Sequence, residues 1–210
     1  MKVKEKFSSF NKNSVLSQKI NEQIRKLPIN EEVTHEILEK LDNHKTKIVL
    51  DSDIKNSYYV YLNDTIYLSN REKVIKDSSR IVLIAHEARH SVQSKILQKL
   101  NFILSNIELI IFCINIILWL LKKVSYINIY LYILVVIISA ILRMILEFDA
   151  VIGSIKIAKE YLQDKVDNKN MEFIMSIYQF KIKCLMPLFV INLLWSKVIR
   201  LIVLVILKTI

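Results

Sequence analysis

Apolar and polar residues are segregated along this chain of 210 residues. Over roughly the first hundred positions apolar residues recur singly among Lys, Glu, Asp and Asn, whereas Asn101 to Leu146 and Cys184 to Leu207 are dominated by Ile, Leu and Val. That division predicts a soluble part fused to membrane helices. Within the polar part, Leu16, Ile20, Ile24 and Leu27 recur at helical spacing and Pro28 ends the pattern. Asn30 is placed to cap a second helix, with Glu31 and Glu32 in its first turn and Val33, Ile37, Leu38 and Leu41 on one face. Three short runs rich in β-branched or aromatic residues follow, at Lys47 to Leu50, Tyr58 to Leu62 and Thr65 to Ser69. Asn63-Asp64 between the last two predicts a tight turn, hence a small sheet. Ser78 and Ser79 then precede an apolar run and are N-cap candidates for a helix that reaches about Gln93.

Phe102 to Leu121 supplies roughly the twenty residues a bilayer crossing needs, Lys122-Lys123 makes a turn, and Val124 to Leu146 crosses back. Glu108 inside the first span is costly in lipid unless it faces another helix or water. Phe148 to Val166 reads as an amphipathic helix with Phe148, Val151, Ile152, Ile155, Leu162 and Val166 on one stripe. Asp167 to Asn170 breaks it, and Met171 to Lys183 resumes a helix. Leu185 to Leu207 is a third apolar segment, but Pro187, Lys197 and Arg200 leave open whether it crosses the bilayer or lies in its interface. The expected organisation is a soluble part over 1–100, a membrane hairpin over 101–146, amphipathic helices over 147–183 and a membrane-associated helix over 184–210.

With one Gly and two Pro in the whole chain, little interrupts helices, so the fold is expected to be mainly α with a small β-sheet plus transmembrane helices. The net charge of +10 carries no basic stripe interleaved with aromatics, which argues against nucleic acid as a partner and for attraction to anionic lipid headgroups of a bilayer. Cys113 and Cys184 fall in or beside apolar segments without metal-ligand spacing and imply no disulfide framework. His35 and His44 are too far apart for one helical face and read as surface residues.

Chemistry concentrates in His86-Glu87-Ala88-Arg89-His90. On a helix, residues four apart lie one above the other, so His86 and His90 can present two imidazoles to one metal ion. Zinc takes such nitrogen ligands and, in catalytic sites, keeps a position for water. Glu87 beside the pair can take that water's proton as it attacks a carbonyl.

The ordered set Asp64-Thr65-Ile66-Tyr67-Leu68-Ser69, Ser79, His86 to Gln93 and Glu147-Phe148-Asp149-Ala150 resembles the membrane-bound neutral zinc metallopeptidases of the YugP type. The resemblance spans roughly Tyr58 to Ala158. It implies an α+β zincin-like core, zinc (Zn2+) held by His86 and His90 with Glu147 as third ligand, Glu87 as catalytic base, and a peptide or protein substrate. In zinc peptidases an edge strand beside the metal helix pairs with extended substrate, as in strand addition. Thr65, Ile66, Tyr67 and Leu68 are the candidates here, the alternative being a purely structural hairpin. Asp149 matches the family segment, yet residues two apart on a helix face differently, so it is not expected to share Glu147's metal. Arg89 stands where the family has Gly. That departure raises a second reading, a catalytically silent membrane protein that keeps the metal helix as a structural or partner-binding element. Arg89, Tyr67 and Tyr161 are all conceivable oxyanion donors, and spacing singles out none.

If the two spans pair about Lys122-Lys123, Glu147 lies level with a position near Gln98, about 12 Å along a straight helix from His90. The ligands then meet only if the chain breaks between Ser91 and Asn101, with the site at the membrane surface. Met1 to Ser14 lacks the apolar core of a signal peptide, so an integral membrane protein with its active site on the cytoplasmic side is expected.

Overall fold

Few helix breakers leave long helices. The structure, a computed structural model, describes residues 22–70, 79–123 and 125–209. A helical turn at residues 22–25 precedes α1 (Asn30–Lys40), β1 (Lys47–Asp51), β2 (Tyr58–Val60), β3 (Thr65–Ser69), α2 (Arg80–Val92), α3 (Lys95–Leu120), α4 (Tyr126–Leu162) and α5 (Asn168–Thr209). The chain is thus mostly helical with one small sheet. The helical positions expected at Leu16 and Ile20 and the cap at Ser78 lie outside the described residues. Two compact units interleave along the chain: Met1–Gln93 with Phe148–Cys184, and Ser94–Glu147 with Leu185–Ile210.

In the first unit, β3 is central, with β1 parallel on one side and β2 antiparallel on the other. The turn from β2 to β3 is wider than the expected Asn63-Asp64 pair, taking a 3-10 turn at Tyr61–Asn63 and then Asp64 at φ 49°. Asp tolerates this left-handed conformation because its short side chain hydrogen-bonds locally; Asp64 Oδ1 accepts from the Thr46 and Tyr59 hydroxyls. Ile66 and Leu68 of β3 join Val33, Ile37 and Leu38 of α1, and Ile81, Ile84, Ala85 and Ala88 of α2, in one core. The spacing of that α2 set, three, four and seven residues from Ile81, is one helical face.

Two expectations shift. The N-cap of α1 is Ile29 rather than Asn30. Asn30 is buried inside the first turn, where its side-chain oxygen accepts from Arg80 at 2.9 Å. Of the stripe expected over Phe148 to Val166, Leu162 and Val166 are buried and Ile155 packs against the core, but Ile152 is 66% exposed, and Ala150, Ser154, Ile157, Ala158 and Tyr161 are buried as well. A hydrophobic pattern ranks Ala and Ser below Ile, yet Ala150, Ser154 and Ala158, four apart, share one helical face and it is that face that is buried.

Arg80 is buried at the start of α2 and donates to Asn30 Oδ1, to the Ile24 carbonyl and to the Leu27 carbonyl at 2.9–3.1 Å. Burial lowers its pKa from the usual guanidinium value. These bonds tie the metal-motif helix to the segment before α1.

In the second unit, α3 and α4 are long and apolar enough to cross a bilayer. α3 ends with Lys122 at φ 56°, and the Lys122 and Lys123 amides bond back to the Trp119 and Leu118 carbonyls. α4 then continues without interruption from the apolar segment through Glu147 into the amphipathic one, because no Pro intervenes. The backbone of α5 likewise stays helical through Pro187.

Arg80→Ala strands the Asn30 side chain and two carbonyls together. It should lower the stability of the first unit by about 2–4 kcal/mol. Thermal unfolding of the detergent-purified variant against the parent measures this, and an unchanged midpoint would refute the anchoring role.

Candidate metal centre

Because α2 buries Ile81, Ile84, Ala85 and Ala88, the next strip of its surface carries half-buried His86, Glu87 and His90. The two imidazoles, one turn apart, meet edge to face with centroids 4.7 Å apart at 87°. Their Nε2 atoms are 3.2 Å from each other. Two nitrogens bound to one tetrahedral zinc at about 2.0–2.1 Å lie about 3.3 Å apart, so the pair is already spaced for one ion.

α2 stops at Val92, with Gln93 extended at ψ 162°, and α3 restarts at Lys95 with the Ser94 hydroxyl accepting from the Leu97 amide. The break falls inside the interval, Ser91 to Asn101, that the ligand geometry demanded. Glu147 is in the same unbroken helix as Phe148 to Leu162, the stretch of α4 that belongs to the first unit. One ligand atom from each of His86, His90 and Glu147 lies within 4.8 Å of the others. Glu147 is buried, and Arg143 one turn earlier on α4 forms an ion pair with its Oε1 at 3.0 Å. Two imidazole nitrogens and a carboxylate form a donor set that could hold a divalent metal ion.

The orientation of His90 is set by neighbours. Its Nδ1 lies 2.8 Å from Gln93 Oε1, and Gln93 Nε2 donates to Asp149 Oδ2 at 2.8 Å. A carboxylate only accepts, so the Gln93 amide must turn its nitrogen to Asp149 and its oxygen to His90. The proton of His90 therefore belongs on Nδ1, which leaves the Nε2 lone pair for a metal. Asp149 is in turn gripped by Arg89 through Nε and NH2 at 3.0 and 2.9 Å. This bond raises the Arg89 pKa from its ordinary value, the largest influence on it. Asp149, for which spacing offered no role, thus sits one step behind His90. Gln93 was open to sequence reasoning, since three residues after His90 is the same helical face. Arg143 was open in the same way, four residues before Glu147.

The side chain of Arg89 lies across α4 at Gly153, where a Cβ would stand 2.9 Å from Arg89 Cδ and 3.0 Å from Cγ and Nε. The chain's single glycine is therefore the position that admits the arginine.

Glu87 Oε2 accepts from the Tyr59 backbone amide at 2.8 Å, a contact no sequence pattern signals. The Tyr59 hydroxyl is pushed far up, by burial first and then by Asp64. β2 therefore lies beside the motif. The expectation that Thr65, Ile66, Tyr67 and Leu68 form an edge strand is corrected: β3 is central, and β1 and β2 occupy both its sides, so its main chain has no edge to offer a peptide. Of the conceivable oxyanion donors, Tyr161 is buried with its hydroxyl 3.1 Å from Lys165, and Arg89 is engaged by Asp149. The Tyr67 hydroxyl accepts from Asn63, and its ring stacks on Tyr58 at 5.2 Å.

Gly153→Ala should destabilise the protein by about 1–2 kcal/mol through the clash with Arg89. In an Arg89→Ala background the same change should be neutral or slightly stabilising, since Ala is the better helix former. A double-mutant cycle on thermal stability tests this, and equal costs in both backgrounds would remove the coupling. No protein-family model, curated protein or solved structure matches this chain.

Proposed function

We propose that this protein is a membrane-anchored, zinc-dependent endopeptidase with a zincin-like core, in which His86, His90 and Glu147 hold the ion and Glu87 is the base. The observation that carries the reading is the convergence of two Nε2 atoms at 3.2 Å with a buried carboxylate within 4.8 Å. Glu87 on the same half-buried strip of α2 completes the set. Supporting it, the Gln93–Asp149–Arg89 chain presents the His90 tautomer that a metal requires. Zinc held by these residues would supply Lewis acidity toward a scissile carbonyl and would lower the pKa of a bound water to about 7.

The residues of the chain would do the rest. Glu87, anchored at one oxygen by the Tyr59 amide, takes a proton from the attacking water and returns it to the departing amine. Arg143 and the His90 relay hold the ligands in register, sparing reorganisation during turnover. Main-chain pairing with an extended substrate falls to the outer edge of β2, the strand in contact with Glu87. The silent-protein reading rested on the bulk of Arg89. With that side chain drawn onto Asp149 and seated against Gly153, its bulk is a weak argument for inactivity.

Detergent-purified protein should contain about one zinc per chain, and His86→Ala should lose it. Glu87→Gln should keep the metal and lower hydrolysis of an unstructured protein such as casein by roughly a hundredfold or more. Parent protein without zinc would overturn the reading. So would a zinc-loaded parent that hydrolyses no peptide.

A further inference from the structure

The second unit is built inside out. In α3 the buried residues are Gln98, Glu108 and Asn115, while large apolar side chains such as Ile110 and Ile117 face outward. Tyr132 and Ser139 of α4 are buried in the same way, and Leu131, Leu134 and Ile141 are exposed. A water-soluble bundle reverses this arrangement; one solvated by lipid adopts it.

The segment from Ile191 to Leu207 of α5 follows the same rule. Its charged residues point inward. Lys197 Nζ bonds to Glu108 and, at 2.9 Å, to the Ser139 hydroxyl, and Arg200 donates to the other Glu108 oxygen at 3.0 Å. Glu108 is 1% exposed and the Lys197 side chain 12%. The outward surface carries Trp195, Val198, Ile202, Val205 and Ile206.

This orientation separates two dispositions of the segment. A helix lying in the membrane interface turns its cations to water and its apolar face to lipid. Here Lys197 and Arg200 face Glu108 and Ser139 from two other helices, which leaves apolar side chains on the outer surface. At about 1.5 Å per residue, Leu185 to Leu207 extends about 34 Å, enough for a hydrocarbon core of about 30 Å. Lys197 is near its middle, about 18 Å from one end and about 15 Å from the other, too deep for its side chain to snorkel to the surface.

We propose that α5 from Leu185 to Leu207 is a third membrane span, admitted to the bilayer because Glu108 and Ser139 on the first two helices receive Lys197 and Arg200. Its outer face is a lipid-contacting surface. The inference rests on the reading of α3 and α4 as membrane helices and is independent of the peptidase reading. It follows that the end of the chain and residues such as Lys55 lie on opposite sides of the membrane, since three crossings separate them.

The test uses full-length chains in which Cys113 and Cys184 are replaced by Ala and one cysteine is introduced, by Lys55→Cys or Thr209→Cys. Sealed vesicles of known orientation are treated with a membrane-impermeant maleimide, and alkaline carbonate extraction is run in parallel. The expected result is retention in the carbonate-washed membrane, with the two positions labelled from opposite sides. Retention with labelling from the same side overturns the third span alone; release by carbonate overturns the membrane reading beneath it. Glu108→Leu should raise mislocated labelling at position 209 by roughly a hundredfold, the scale set by an unpaired cation at a span's centre. Adding Lys197→Leu and Arg200→Leu should restore the parent pattern. Unchanged labelling in Glu108→Leu would overturn the role given to Glu108.

Discussion

A helix that buries Ile81, Ile84, Ala85 and Ala88 on one side has no freedom in where His86 and His90 point. The 3.6-residue period fixes the two imidazoles on an adjacent strip, one turn apart, and core burial holds that strip in place. Every other part of the site answers to this. The helix must stop at Val92 so that the chain can restart as α3, and Gln93, the extended residue at the stop, is also the one that orients His90. Termination of the helix and the choice of histidine tautomer are thus one local event.

Behind the imidazoles, Arg89, Asp149 and Gly153 form a compensated set. An arginine at position 89 introduces volume and a positive charge beside α4. Asp149 receives the charge through two hydrogen bonds, and the missing Cβ of Gly153 receives the volume. Asp149 also holds Gln93, so the arginine is coupled to the presentation of His90 rather than standing apart from it. A glycine inside a helix costs about 0.5–1 kcal/mol relative to alanine. In a chain with a single glycine, placing it here is informative.

The two units obey opposite solvation rules. In the first, Ile, Leu and Val fill the core and Lys and Glu lie outside. In the second, Glu108, Asn115 and Ser139 are inside beside a few apolar residues such as Ile129 and Leu204, and most large apolar side chains face out. One helix, α4, passes from one regime to the other at Glu147, where a carboxylate is buried and paired with Arg143. A buried carboxylate needs a partner; this one has Arg143, and ligand atoms of His86 and His90 lie within 4.8 Å of it.

Periodicity and residue chemistry alone determined much of this. The segregation into polar and apolar stretches, the small sheet, and the helix that carries His86, Glu87 and His90 were readable because each depends on neighbours within one turn or one strand. The need for a break after Ser91 was readable too, from helix length. What lay beyond it depends on contacts between distant residues. Thr65 to Ser69 has the composition of any strand, and only pairing with Lys47–Asp51 and Tyr58–Val60 makes it central. The inward face of α4 includes Ala150, Ser154 and Ala158, which a hydrophobic pattern ranks below Ile152. Lys197 and Arg200 counted against a membrane segment while they were read as lone charges. Glu108, far away in sequence, gives them partners, and a charge's cost in an apolar setting depends on its partner, which the tertiary fold alone supplies.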